Sequence, residues 1–276
     1  MIGQLCNKVL NPLGVKLVRV ATPGAPTDFA LYGEYARPQL PKYVNIGAGS
    51  FFHPLWHNLD NPHPWYSRNA APKIDIGHDL MSGQPLAIED GSLRIAYTSH
   101  TIEHLRDEDV ALMFAEVYRC LAPGGYFRIT CPDIDLDYDA YLRGDLDFWW
   151  WPSPNGGVCI EERFVERFAS ALVPRHPATT AKQYSPEEIR SVFSSLPKEK
   201  ALDYFSKQVP LEVQHAYPGN HMNWFNENKL TEMLGHAGFE RIWRSRFRQS
   251  KCAPLRNAAL FDRTDPELSL YIECQK

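Results

Sequence analysis

The sequence lacks most of the features that assign a chain at a glance. None of its six cysteines forms a Cys-x-x-Cys pair; Cys6, Cys120, Cys131, Cys159, Cys252 and Cys274 are scattered. Clustered zinc ligands are therefore not expected, and buried thiols are the default. No run of apolar residues approaches the length of a membrane span, so no integral membrane segment is expected. The N-terminus has no apolar stretch ending in a small-residue cleavage site, which argues against a secretory signal and for a cytoplasmic protein. Neither sign of charge dominates: 29 basic against 33 acidic side chains leave a net charge of −4. That balance offers no general attraction to a phosphate backbone, so nucleic acid is not an expected partner.

What is present is ordinary globular composition, 44% hydrophobic and 22% charged, in 276 residues. Such a length buries one large α/β core, with room for a modest cap. The chain is organised around Lys42-Tyr43-Val44-Asn45-Ile46-Gly47-Ala48-Gly49-Ser50. A β-branched strand there runs into a glycine turn, the arrangement by which doubly wound α/β domains bring backbone close to a nucleotide-like ligand. Acidic residues close two later strands: Asp60 after His57-Asn58-Leu59, and Asp79 after Ile76-Gly77-His78. Only eleven positions separate Gly49 from Asp60, where dinucleotide folds use about twenty. The first helix is thus expected to shrink to a turn around Ser50–Trp56. Phe52 occupies the place of the third glycine, which a bound pyrophosphate needs, and this disfavours a nicotinamide enzyme.

The spacing of Val110, Met113, Phe114, Val117, Tyr118 and Leu121 predicts a helix with acidic Asp107-Glu108-Asp109 on its first turn. Pro123-Gly124-Gly125 is expected to end it, with Tyr126–Cys131 as the fifth strand. Residues 1–20 read as an N-terminal helix, packed on the core or on a second subunit, which leaves a homodimer open. Ala21–Pro41 reads as a surface linker. Residues 133–222 are too long for a bare loop and predict a helical cap, with a capping box at Ser185-Pro186-Glu187-Glu188. Asp133, Asp135, Asp137 and Asp139 alternate, which suggests one solvated face. Phe148–Trp151 reads as an anchor of the cap, ahead of a second reading as a stacking surface for a sugar or planar acceptor. Residues 223–276 complete the sheet. The expected divisions are therefore 1–41, 42–132, 133–222 and 223–276.

The ordered set Gly47-x-Gly49, Asp60, Asp79-Leu80, Ser99-His100-x-x-Glu103-His104-Leu105 and Leu121-Ala122-Pro123-Gly124-Gly125 resembles class I S-adenosylmethionine (SAM)-dependent methyltransferases of the type 11 small-molecule group. The resemblance is strong over residues 42–132, weak to about 222, and resumes at Asn223–Gly238 and Ser269–Lys276. It implies a seven-stranded, mostly parallel sheet with an antiparallel last strand, and SAM as cofactor. It places Asn45, Gly47, Ala48, Gly49, Asp60, Asp79, Leu80, Ser99 and His100 around the cofactor, with Asp60 on the ribose hydroxyls and Asp79 on the adenine amino group. His104 is read as structural.

Methyl transfer from a sulfonium asks the protein mainly to align the partners and exclude water. A hydroxyl acceptor adds the need for a base, for which His100, His221, Asp133 and His215 are the candidates. Some relatives hold Mg²⁺, but they draw its ligands from separated segments, so the aspartate row is not expected to bind a metal. By analogy the acceptor is a small molecule, a sugar hydroxyl of a surface glycan or a secondary metabolite, O- or N-linked. The competing reading is a protein of the same fold that binds without turnover. Nucleic-acid methylation finds no Asn/Asp-Pro-Pro-Tyr site, since the fourth strand ends Thr98-Ser99-His100.

Overall fold

A computed structural model describes residues 31–33, 42–63, 73–151, 159–174 and 181–276. The N-terminal helix expected at 1–20, most of the linker, Cys6 and the loop at 152–157 lie outside the described residues. Seven strands form one sheet: β1 (Lys42–Ile46), β2 (Trp56–Asp60), β3 (Ile76–Gly77), β4 (Leu93–Ser99), β5 (Leu121–Pro132), β6 (Arg241–Arg244) and β7 (Ser269–Gln275). Their order is β3-β2-β1-β4-β5-β7-β6. Neighbours from β3 to β5 are parallel, while β7 runs antiparallel to both β5 and β6. The sheet is buried on both faces, as parallel strands require.

On one face, α1 (Asp107–Cys120) and α7 (Glu227–His236) bury Val110, Met113, Phe114, Val117, Leu230 and Leu234 against Val44, Ile46, Leu59, Phe127 and Ile129. Asn226 starts α7 by accepting a hydrogen bond from the Lys229 amide at 3.0 Å. On the other face, an aromatic layer packs Tyr43, Trp56, Tyr97 and Phe261. Tyr32 belongs to that layer, fully buried, with its hydroxyl accepting from Trp56 Nε1 at 2.6 Å. This part of the expected linker is therefore core: an aromatic ring finds more burial under the sheet than in a surface crossing.

Two boundaries differ from the sequence reading. α1 stops at Cys120, and Leu121 already pairs with Leu93 as the first residue of β5. Pro123-Gly124-Gly125 lies inside β5, where the register shifts. A Cβ at Gly125 would stand 2.9 Å from the Ala122 carbonyl oxygen, so the chain resets there at a residue without one. The expected shrinkage of the first crossover is seen: the Phe51 amide donates to the Ala48 carbonyl at 3.0 Å, and no helix forms between β1 and β2.

Between β5 and β6 the described residues add no strand to the sheet. They form α2 (Ile134–Arg143), α3 (Ile160–Glu166), α4 (Pro186–Ser195), α5 (Lys198–Ser206) and α6 (Leu211–Ala216) around a second core of Ile134, Phe164, Phe168, Ile189, Leu202 and Phe205. Ser185 and Glu188 close the capping box of α4 reciprocally, at 3.2 and 2.8 Å. Within Phe148–Trp151, Trp149 is buried in this core while Trp150 is 63% exposed.

The aspartate row does not share a face. Because 134–143 is helical, residues two apart point to nearly opposite sides. Asp133 caps α2, Asp135 pairs with Lys198 at 2.9 Å, and Asp139 is exposed. Asp137 is buried, facing Arg167 at 3.1 Å and accepting from Trp149 Nε1 at 2.6 Å. Burial of Ile134 and Ala140 sets this helical period over the alternation of charge.

The sheet's far side is tied down by Arg128 of β5, fully buried. Its guanidinium donates to Asp262 at 2.5 and 3.1 Å, to Glu273 at 2.7 Å, to Ser245 Oγ at 3.1 Å, and to the carbonyls of Arg246 and Gln249 at 3.0 and 2.9 Å. Removing the cation strands two buried carboxylates. Arg128→Met is expected to lower unfolding free energy by about 3–5 kcal/mol, measured by urea denaturation of the full chain; a loss below about 1 kcal/mol would contradict the role assigned to this network.

Candidate active site

Strand order reverses between β1 and β4, and at such a switch point the two following loops diverge and leave a crevice at the strands' carboxyl ends. A cleft of about 1120 Å³ lies there. It is lined by all nine residues the sequence places around a cofactor: Asn45, Gly47, Ala48, Gly49, Asp60, Asp79, Leu80, Ser99 and His100.

The glycine turn is shaped by contact. Gly47 has φ +68°, and a Cβ there would stand 2.2 Å from Thr101 Oγ1. Only a residue without a side chain lets the loop after β1 pass the loop after β4. Gly49 has φ +53° with open space beside it, so its requirement is conformational alone. Its amide donates to Asp60 Oδ2 at 2.7 Å, and the Asn61 amide donates to Oδ1 at 2.7 Å. Burial pushes the Asp60 carboxyl above its ordinary value while these two amides pull the other way. Asn45 is buried, and its Oδ1 has no hydrogen-bond partner among the described residues. Asp79 Oδ1 accepts from the Met81 amide at 3.0 Å, bending the chain after β3 around the cleft. Phe51, Phe52, Met81 and the segment Ala259–Thr264 complete the walls.

Of the four base candidates, His100 alone lines the cleft. It sits at φ +50°, outside the range a β-carbon prefers, with Nε2 2.8 Å from Ser269 Oγ and Nδ1 3.2 Å from Glu103. Both ring nitrogens therefore face protein partners. Asp133 is not part of the cleft lining: its two oxygens are taken by Arg244 at 3.0 Å and the Asp135 amide at 3.2 Å. His215 lies exposed on α6, away from the lining. His221 stands behind His104, its Nδ1 donating to the Arg167 carbonyl at 2.6 Å.

His104, read from sequence as structural, lines the cleft directly. Its Nδ1 donates to the Asn220 carbonyl at 2.8 Å, which leaves Nε2 as the lone-pair nitrogen. The Glu103-His104 pair was the available signal. The partner segment 220–223 is stitched to it over more than a hundred residues of sequence: the Met222 and Asn223 amides donate to the Glu103 carbonyl at 2.8 and 3.1 Å. Gln214 Nε2 donates to the carbonyls of His104 and Asn220 at 3.1 and 2.9 Å.

A family model described as a methyltransferase domain matches residues 66–129, spanning Asp79, Ser99-His100, Glu103-His104 and the Pro-Gly-Gly turn. The match falls on the stretch that the sequence likens to class I SAM-dependent methyltransferases. The chain also shows likenesses to solved structures. A SAM-dependent methyltransferase from Mesorhizobium loti shares 15% identity over 91% of this chain and 96% of its own, with a TM-score of 0.41. One from Methanosarcina mazei shares 13% over 92% and 99%, with a TM-score of 0.43. One from Archaeoglobus fulgidus shares 11% over 91% and 93%, with a TM-score of 0.39. Scores this low carry no argument, and the architecture of the chain rests on its own strand order. No curated protein matches the sequence.

Gly47→Ala tests the geometry of the turn. The variant is expected to weaken binding of S-adenosylhomocysteine (SAH), the demethylated cofactor, about tenfold or more and to cost about 1–3 kcal/mol of stability. Calorimetric titration and thermal unfolding report the two effects; an unchanged SAH affinity would contradict the closeness of Gly47 to Thr101.

Proposed function

We propose that this methyltransferase transfers the SAM methyl group to a hydroxyl or amine of a small acceptor, with a sugar hydroxyl or a secondary metabolite as the first substrate class. The observation that carries the reading is the convergence, in one cleft, of the glycine turn, the Asp60 carboxylate and the His100–His104 wall.

The residues present fit SAM. Asp60 supplies a desolvated carboxylate for two ribose hydroxyls, already oriented by the Gly49 amide. The orphaned Oδ1 of Asn45 offers a further buried acceptor, suited to the ammonium of the methionine portion. Asp79 serves the adenine amino group, with Leu80, Met81 and Phe52 as its apolar surroundings. Bound SAM supplies an activated methyl group on a sulfonium. The protein's part is alignment and exclusion of water. Ser99 and His100 form the floor beneath the methionine end. His104, held through Nδ1 by the Asn220 carbonyl, forms part of the wall on the acceptor side. The described helices between Ile134 and Ala216 cap the acceptor side, and this part of the chain reaches the cleft through Gln214 and Pro218. A net charge of −4 supports a small acceptor rather than nucleic acid; among the described residues no helix is long and apolar enough to cross a membrane.

Two measurements test this. Incubation of the full chain with SAM and a panel of sugars and phenolic or amine metabolites is expected to yield SAH in an acceptor-dependent way. Binding of SAM with no SAH from any acceptor would favour a non-catalytic binder instead. Asp60→Ala is expected to weaken SAH binding by roughly 1.5–3 kcal/mol. The wild-type affinity should fall as acid protonates Asp60, and do so at a higher pH than an ordinary carboxylate because burial raises its pKa. A pH profile of Asp60→Ala lacking that step completes the check; identical profiles for the two proteins would remove Asp60 from the site.

A further inference from the structure

Glu103 poses a problem that the proposed methyl transfer leaves unsolved. Its side chain is 1% exposed, yet neither carboxylate oxygen receives a hydrogen bond from the described residues. His100 Nδ1 lies 3.2 Å from Oε1, a counterion to it only when that ring is protonated. A buried carboxylate left in this way costs several kcal/mol unless a cation compensates it.

Two further acceptors point to the same place. His104 and His221 each donate Nδ1–H to a backbone carbonyl, of Asn220 and Arg167, so each presents Nε2 as a lone pair. Their rings meet edge to face with centroids 4.9 Å apart. A ring nitrogen of each and a Glu103 oxygen lie within 4.8 Å of one another. Carbonyl-anchored imidazoles are how proteins fix the tautomer and aim of metal-binding histidines. Arg167, whose carbonyl holds His221, has its own guanidinium paired with Asp137 at 3.1 Å.

We infer that Glu103, His104 and His221 form a binding site for one divalent transition-metal ion, of which zinc is the type. Two imidazoles and a carboxylate are the donor set such ions take, with at least one position left for an outside ligand. Bonds of about 2.0–2.1 Å place tetrahedral ligand atoms about 3.3 Å apart, so the three side chains close by roughly an ångström or more around the ion, within reach of small χ rotations. Their backbones are held by the Glu103–Met222 and Gln214 bonds and need not move. Because His104 also lines the cleft, the open position faces the acceptor side. There the ion would take an acceptor hydroxyl and lower its pKa, with the proton passing to solvent. That last role rests on the proposed methyl transfer; the binding site does not.

The test is metal binding by the full chain, read without activity. Protein stripped with a chelator is titrated with Zn²⁺ by calorimetry and with Co²⁺ by visible absorption, and SAH binding is measured on the same preparation. The expected result is one equivalent of Zn²⁺ and a Co²⁺ spectrum of four- or five-coordinate type. Glu103→Gln and His221→Gln are expected to lose affinity about a hundredfold or more. Where Glu103→Gln fails to fold, His104→Gln, altered at the cleft wall, carries the same expectation. Binding below a tenth of an equivalent, or affinity unchanged in these variants, overturns the metal site. If SAH still binds, only this inference falls; if SAH does not bind either, the methyl-transfer reading falls separately.

Discussion

The narrowest constraint in this molecule is the passage of Gly47 against Thr101. Thr101 Oγ1 lies 3.4 Å from the Ile46 carbonyl and 3.2 Å from that of Ser99, so the threonine is fixed across the carboxyl ends of β1 and β4. Thr98 adds a second tie to the Ile46 carbonyl at 3.0 Å. The loop after β1 can therefore turn only one way, out over β2, where Asp60 catches the Gly49 amide. Parallel strands cannot be joined by a short hairpin, so each loop at this edge runs off to a different layer. A crevice is left between them, and the Gly47–Thr101 approach sets where it starts.

Two anchors then hold the walls of that crevice. On one side, Arg128 binds Asp262, whose neighbours Ala259–Thr264 line the cleft, so a cation buried under the sheet positions the surface a ligand meets. On the other, the backbone of Glu103 is paired with Met222 and Asn223, joining the α/β sheet to the second, helical core. The two hydrophobic cores are thus linked beside the site by backbone hydrogen bonds as well as by packing.

Much of the first half of the site is legible locally. A glycine after a β-branched strand, and an acid at the end of the next, are short-range signals, and Gly47, Gly49, Asp60 and Asp79 all line one cleft. The shortened first crossover is equally readable from the eleven-residue gap between Gly49 and Asp60. What is not legible depends on pairing across long separations. Nothing near His221 announces His104, and nothing near Arg128 announces Asp262. The aspartates after Pro132 show the opposite failure, a clear local pattern overridden by burial: alternation suggests a solvated face, yet Ile134 and Ala140 turn the segment into a helix and send Asp137 inward. Pro123-Gly124-Gly125 similarly looks like the end of a helix but acts as a shift of register within β5.

His100 carries one more implication. A side-chain-bearing residue at φ +50° holds roughly 1–3 kcal/mol of backbone strain, and it persists because the residue is gripped from three directions, by the Thr130 carbonyl, Ser269 and Glu103. A corner so restrained does not yield to an incoming molecule. With the wall near Asp262 pinned through Arg128, the backbone at two corners of the chamber is set before any ligand arrives.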